Sequence, residues 1–290
     1  MRAWVCWMAW WAVLGAGAVG QEAEPVFRAG ARLIAVSTTV LDGKGRYVDG
    51  LGVERFLVTD NGAPRPIVSL EGGDARLSCA ILLDTTASMR EALPVVKNAV
   101  MRLIGQMREQ DSVAVFAFDT SVRTIVDFTT DKQAARTAVM RIRTGGATAL
   151  YDSLTETARA MEARTGKKAL VVFSDGDDNS SMLSARDAMV RVRKEGVPIY
   201  TIAEGEALES EGLLKQLKQI SSVSGGLTYQ IRKPEDAARV FLDISEDMRH
   251  AYLILYRPPE TENRKWRVIQ VKVKGDESYS VRAREGYYPK

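Results

Sequence analysis

The sequence predicts an α/β protein: a doubly wound, mostly parallel sheet flanked by helices, carrying a small β-rich module built from the N- and C-terminal segments. Three observations predict it. From Leu77 to about Met248, apolar runs of strand length alternate with longer stretches whose apolar residues recur at helical spacing, the pattern of repeated βαβ units. Several of those runs are apolar throughout instead of alternating, as strands covered on both faces must be. Outside that span the pattern shifts to short strands broken by Gly-containing turns.

In chain order, Arg2 precedes an uncharged stretch, Ala3–Gly20, that closes on Ala18-Val19-Gly20. A basic start, an apolar stretch and a small-x-small site read as a signal peptide cleaved near Gly20, which predicts a secreted or periplasmic protein. Cys6 does not end a small-residue box, so a lipoprotein anchor is not expected. Membrane association is expected only if the leader stays uncleaved, since the stretch could just span a bilayer. Ala31–Leu41 and Glu54–Asp60 read as strands, with turns at Asp42-Gly43-Lys44-Gly45 and Asp60-Asn61-Gly62.

Next come the apolar strands Leu77–Leu83, Ser112–Phe118, Ala169–Phe173 and Pro198–Ala203. Between them lie helical patterns over Glu91–Arg108, Lys132–Ile142, Leu150–Arg164, Ser184–Lys194 and Gly212–Ser221. Val122–Phe128 alternates apolar and polar residues and predicts an antiparallel edge strand, hairpinned onto Ser112–Phe118 through Asp119-Thr120-Ser121. Leu227–Ile231 is the last strand and Pro234–Met248 the closing helix, with Pro234 in its first turn.

Ala251–Tyr256, Trp266–Lys274 and Tyr279–Ala283 then read as strands. Neither end supplies enough strands to bury a sheet alone. The predicted organisation is therefore a leader at 1–20, one β module shared by 21–75 and 250–290, and an α/β domain at 76–249 inserted between its halves.

Composition excludes several functions. The 290 residues are 46% hydrophobic and 27% charged, with a net charge of +3 that falls to +2 when Arg2 leaves with the leader. Basic and acidic residues are interspersed, so the basic stripe of a nucleic-acid surface is missing and no nucleic-acid partner is expected. Without the leader Cys79 is the sole cysteine, which rules out an internal disulfide and suits a small buried hydrophobe. His250 is the only histidine, which removes imidazole triads and His-rich zinc sites.

The chemistry concentrates where strands end. The run Ala80-Ile81-Leu82-Leu83 stops at Asp84, followed by hydroxyls at Thr86 and Ser88. The carboxyl edge of an open α/β sheet is where ligands bind, and a carboxylate with hydroxyls is a hard-oxygen set suited to Mg²⁺ or Ca²⁺. Gly145-Gly146-Ala147-Thr148 delivers another hydroxyl just before a helix, and Val171-Val172-Phe173-Ser174-Asp175 is a second buried strand ending in a carboxylate.

If those two strands are neighbours, the metal sees two carboxylates and three hydroxyls. Thr86 and Ser88 alone could cap the helix that follows, but a carboxylate closing a buried strand needs a partner. Asp177 and Asp178 read as solvated loop charges or as a cap for Ser184–Lys194. Asp152, Arg90 and Asp119 are candidates for orienting the ligands.

The sequence resembles the von Willebrand factor type A (vWA) domains that carry a metal-ion-dependent adhesion site (MIDAS). The family's Asp-x-Ser-x-Ser motif stands here as Asp84-Thr85-Thr86-Ala87-Ser88, its threonine turn as Gly146-Ala147-Thr148-Ala149-Leu150, and its later aspartate as Ser174-Asp175-Gly176. Thr86 replaces the commoner serine and keeps the hydroxyl. The resemblance covers roughly Leu77–Met248 and implies a Rossmann-like sheet. It implies Mg²⁺, with Mn²⁺ or Ca²⁺ as alternatives, held by Asp84, Thr86, Ser88, Thr148 and Asp175. It also implies a protein partner whose Glu or Asp carboxylate fills the open coordination position.

The layout is similar as well to bacterial secreted vWA-related proteins, through Thr38–Leu51 before the domain and Tyr252–Tyr256 and Val281–Tyr288 after it. The expected function is therefore a non-enzymatic, extracytoplasmic protein-binding module. Two alternatives compete with it. One is a Mg²⁺-dependent phosphatase using Asp84, with Ser174 and Asp177 or Asp178 in support, although Thr86 occupies the place of its general acid-base carboxylate. The other is a structural assembly domain without metal.

Overall fold

The computed structural model describes residues 33–289 except 176–177, 262 and 276–277. The leader, its cleavage point, Gly176 of the third motif and the neighbouring Asp177 lie outside the described residues. Four strands come first: β1 (Ile34–Leu41), β2 (Phe56–Asp60), β3 (Ala63–Arg65) and β4 (Ile67–Glu71). The α/β segment opens with β5 (Leu77–Asp84), α1 (Leu93–Gln106), β6 (Ser112–Phe118) and β7 (Val122–Thr129). It continues with α2 (Lys132–Met140), α3 (Leu150–Ala160), β8 (Lys167–Ser174), α4 (Ala185–Glu195) and β9 (Ile199–Ala203). The short α5 (Glu206–Glu209), α6 (Glu211–Ser224), β10 (Thr228–Gln230) and α7 (Ala237–His250) complete it. Four strands close the fold: β11 (Tyr252–Tyr256), β12 (Arg267–Val273), β13 (Ser280–Ala283) and β14 (Gly286–Tyr287).

The α/β segment forms one six-stranded sheet in the order β10-β9-β8-β5-β6-β7, parallel except for β7, which runs antiparallel to β6. The central strand shows why its sequence is apolar without alternation. Every residue of β5 is buried. Cys79, Ile81 and Leu83 face a core that includes Val96 and Leu103 of α1 and Phe241 and Ile244 of α7. Ala80 and Leu82 face the opposite core, with Leu154 of α3, Val192 of α4 and Leu217 of α6. Helices thus cover both faces, as a parallel sheet requires. Cys79 sits among apolar neighbours, and burial pushes its thiol up to about 12, so it stays a neutral packing residue.

The two ends of the chain build a pair of four-stranded antiparallel sheets, β13-β1-β11-β4 and β14-β12-β2-β3. β1 lies between β11 and β13, and β2 pairs with β12, so each sheet joins strands from before and after the α/β segment, alternating in the first and meeting at the β2–β12 pair in the second. Their shared core includes Val36, Val40, Phe56, Val58, Ile254, Tyr256, Ile269 and Tyr287. Asp60 is fully buried there, its carboxylate accepting from Tyr256 Oη at 3.1 Å and Tyr287 Oη at 2.9 Å and pairing with Arg267 Nε at 2.6 Å.

Buried polar contacts weld this module to the α/β domain. Arg282 of β13 pairs with the buried Asp247 of α7 and donates to Gly225 O at 2.9 Å and Thr39 Oγ1 at 3.1 Å. Tyr200 Oη of β9 donates to the same Asp247 at 2.5 Å. Arg284 donates to Arg193 O at the end of α4 at 2.9 Å.

Some boundaries and elements differ from the sequence expectation. The helix expected over Glu91–Arg108 starts at Leu93, because a 3-10 turn, Ser88–Arg90, takes up the chain as it leaves β5. The helices expected to end at Ile142 and Arg164 stop at Met140 and Ala160. The strands β3, β4 and β14 and the helix α5 have no counterpart in the sequence reading. β3 and β14 are three and two residues long and are ordered by their pairing with β2 and β12.

Candidate metal centre

The chain turns from one side of the sheet to the other between β5 and β8. β5 leads through α1 to β6 on one side, and β8 leads through α4 to β9 on the other. The two strands pair in parallel, Leu83 opposite Phe173, so Asp84 and Ser174 end side by side at their carboxyl ends. This is the topological switch point, the crevice where open α/β sheets take ligands.

Four of the five expected metal ligands are joined by hydrogen bonds there. Thr86 Oγ1 and Ser88 Oγ are 3.0 Å apart, and Ser88 Oγ donates to Asp175 Oδ1 at 3.1 Å. Asp84 Oδ1 accepts from Thr86 N at 3.0 Å and Asp84 Oδ2 from Ser174 Oγ at 2.9 Å. Thr148 is brought to the same edge by its backbone. Its amide donates to Asn179 Oδ1 at 2.9 Å and its carbonyl accepts from Asn179 N at 3.0 Å, four residues past Asp175. Gly145 N donates to Thr85 O at 2.7 Å, which ties the threonine turn to the first motif.

Asp84, Thr86, Thr148 and Asp175 are buried, and Ser88 is exposed. The cluster therefore opens to solvent on the Ser88 side. Burial raises the Asp84 pKa to about 6, hydrogen bonds from Thr86 and Ser174 hold it down, and the nearby Asp175 charge adds to the rise. Glu204, just past β9, is also raised, by partial burial and then by Asp175 and Glu235. Negative charge thus accumulates in a desolvated pocket, which is costly for the protein alone and favourable for a cation.

The donor set fits a small hard cation. Adjacent ligands of an octahedron with Mg–O bonds near 2.05 Å lie about 2.9 Å apart, close to the Thr86–Ser88 and Ser88–Asp175 oxygen separations of 3.0 and 3.1 Å. Among the described residues no cluster of three or more His, Cys, Asp or Glu is placed to hold a metal. A cation here would rest on two carboxylates and hydroxyls, a set for Mg²⁺ or Ca²⁺ and not for zinc.

The supporting residues follow the sequence reading only in part. Asp178, expected as a loop charge or a cap for the following helix, instead caps α3. Its Oδ2 accepts from Tyr151 N at 2.8 Å, while Ser181 Oγ accepts from Asp152 N at 3.0 Å. The backbone has no side-chain cap of its own at Ala149, so this loop supplies the orphan amides of the first turn. α4 is capped by its own Ser184, which accepts from Asp187 N at 3.1 Å.

Asp152 returns the contact to the loop, accepting from Met182 N at 2.8 Å and Leu183 N at 3.0 Å. Arg90 is exposed on the 3-10 turn. Asp119 pairs with Arg123 at 2.9 Å. The sequence reading missed Arg123 and the role of Ser174 as the donor that holds Asp84. A serine one step before the second strand-ending carboxylate was the available signal.

With this fold and this strand-end geometry, the class is a vWA-type α/β module. The chain belongs to the von Willebrand factor type A domain family, whose model matches residues 79–243. The protein sll0103 of Synechocystis sp., described only as uncharacterized, is 24% identical over 200 residues, 63% of this chain and 46% of that protein. The chain thus spans about half the length of the curated relative it matches.

A von Willebrand factor type A structure from Catenulispora acidiphila aligns with a TM-score of 0.55 at 14% identity, over 88% of this chain and 73% of that one. Proximal thread matrix protein 1 of the mussel byssus aligns with a TM-score of 0.54 at 18% identity, over 67% of this chain and 51% of that one. At these identities the structural matches establish the fold alone.

Proposed function

We propose that this protein is an extracytoplasmic protein-binding module in which Asp84, Thr86, Ser88, Thr148 and Asp175 hold Mg²⁺, and in which an acidic residue of a partner protein completes the coordination. The vWA domain is commonly a protein-interaction module, and the observation that carries the metal reading is the chain of oxygens at the β5–β8 switch point. Thr86, Ser88 and Asp175 stand at octahedral-edge spacing beside the buried Asp84.

When bound, Mg²⁺ would act as a charge anchor for an external carboxylate. The chain's own contribution is to present hydroxyls and carboxylates on three loops and to leave the Ser88 side open. A carboxylate meeting a cation at the centre of a polar interface gives strength and orientation together. Signal-directed export through residues 1–20 fits this reading, and among the described residues no helix is long and apolar enough to cross a membrane.

The test is calorimetric titration of Mg²⁺ into the full chain and into Asp84→Ala. Wild-type protein should take up one Mg²⁺ and the variant none, with both giving the same circular-dichroism spectrum. Capture of an acidic partner should then require Mg²⁺ and vanish in EDTA. Partner capture that persists unchanged in EDTA would sink the proposal.

A further inference from the structure

We infer that the Asp119–Arg123 ion pair is a positioning brace that locks two of the three loops of the candidate metal centre against each other; this rests on the metal-binding reading above. Arg123, on β7, reaches two partners with one nitrogen. Its Nη2 lies 2.9 Å from Asp119 Oδ2 and donates to Thr85 Oγ1 at 3.4 Å. Each partner governs a different loop.

Thr85 stands between Asp84 and Thr86, and it is fully buried. Its amide and hydroxyl both donate to Phe118 O at 2.8 Å, and its carbonyl accepts from Gly145 N at 2.7 Å. Asp119 supports the threonine turn. Its carbonyl accepts from Ala149 N at 2.8 Å. Gly146, at φ +79°, lies so close that a Cβ there would stand 2.7 Å from the Asp119 Cβ. A side chain at Gly146 would meet both a left-handed backbone and this contact. One guanidinium therefore touches the residue inside the first hydroxyl motif and the residue on which the turn carrying Thr148 is folded.

Magnitudes separate geometry from stability as the role of this pair. The Arg123 side chain is 52% exposed, and an ion pair with such an exposed member contributes little to global stability. The same pair can matter to the metal. Mg²⁺ demands near-ideal octahedral geometry, whereas Ca²⁺ accepts a looser and more variable shell. Loosening the brace should therefore penalise Mg²⁺ more than Ca²⁺.

The experiment compares the full chain with Arg123→Ala and Arg123→Lys. In calorimetric titrations, Arg123→Ala should bind Mg²⁺ about 10-fold more weakly, with Ca²⁺ affinity changed much less. Arg123→Lys, which keeps the charge facing Asp119 but has a single point of contact, should fall between. In EDTA, hydrogen exchange at the Gly145 and Ala149 amides should speed up in Arg123→Ala, while β5 amides and the melting temperature stay as in the wild type.

Wild-type Mg²⁺ affinity in Arg123→Ala overturns the brace. So does an equal loss for both cations accompanied by a lower melting temperature, since that is a merely structural effect. Wild-type protein that takes up neither cation overturns the metal reading. The exchange measurement in metal-free protein still decides the brace in that case, and unchanged exchange at Gly145 and Ala149 overturns it as well.

Discussion

Ser174 donates its hydroxyl to Asp84 at 2.9 Å, joining the last residues of two adjacent parallel strands. The bond belongs to the protein itself, so Asp84 is oriented before any cation arrives. With Thr86 N on its other oxygen at 3.0 Å, the carboxylate is held at both ends. Such preorganisation removes the ordering cost that a mobile ligand would add at the moment of binding.

Asp84 should make the metal-free fold less stable as pH rises. Its pKa is raised to about 6 in the folded protein, chiefly by burial, against about 3.9 in an unfolded chain. Between those values the folded state binds more protons than the unfolded one, so stability is lost as pH increases through the window. Asp84→Asn keeps an acceptor for Thr86 N and removes the buried charge. At pH 7 in EDTA it should be more stable than wild type by about 1–3 kcal/mol, with the difference shrinking towards zero below pH 4. Urea unfolding at several pH values checks this, and a difference independent of pH would refute it.

Asp152 should control the loop beside the centre. It accepts from Met182 N and Leu183 N at 2.8 and 3.0 Å, and Met182 is 95% exposed. The loop is thus pinned by its backbone while its apex projects into solvent. Asp152→Ala should cost about 1–2 kcal/mol through the two unmade bonds and open the segment to proteolysis. Limited digestion followed by mass spectrometry should place the first new cut next to Met182; an unchanged cleavage pattern would count against the pinning.

The contact between Arg282 and Asp247 should behave as one unit. Asp247 is 1% exposed and also accepts from Tyr200 Oη. Removing Arg282 strands a buried charge, which costs about 3–5 kcal/mol. Removing both charged groups leaves no stranded charge, only the neutral Tyr200 hydroxyl without its acceptor, so Arg282→Ala with Asp247→Ala should cost less than Arg282→Ala alone. A double-mutant cycle by urea unfolding measures this, and simple additivity would show the pair to be uncoupled.

The core of this architecture was legible because burial leaves a local mark. β5, β6 and β8 carry unbroken apolar runs, Cys79–Leu83, Val113–Phe118 and Ala169–Phe173, since helices cover both faces, and β7 mixes apolar and polar residues because it is an edge. The candidate site could be singled out for a related reason: a carboxylate that terminates a buried strand, as at Asp84 and Asp175, stands out against the residues before it. Other features left no local mark. Asp178 caps a helix whose first turn lies 27 residues earlier, a pairing no local pattern encodes. Arg123 looks like one more polar residue on an alternating strand until the fold brings Thr85 and Asp119 to it. β3 contains Pro64 and is only three residues long, so its pairing with β2, and not its own propensity, makes it a strand.

The register between Glu71 and Leu253 has a consequence for how an applied pull would run through the molecule. The chain leaves the antiparallel sheets just after Glu71 and returns at Tyr252, and these strands are paired, with Glu71 opposite Leu253. Departure and return are therefore neighbours, about 5 Å apart. Tension drawn along the sandwich strands can pass from one terminal segment to the other through interstrand hydrogen bonds, without travelling through the six-stranded sheet. The inserted domain joins that path from the side, through Arg282 and Arg284, so the crevice at Asp84 and Asp175 is not itself a link in it.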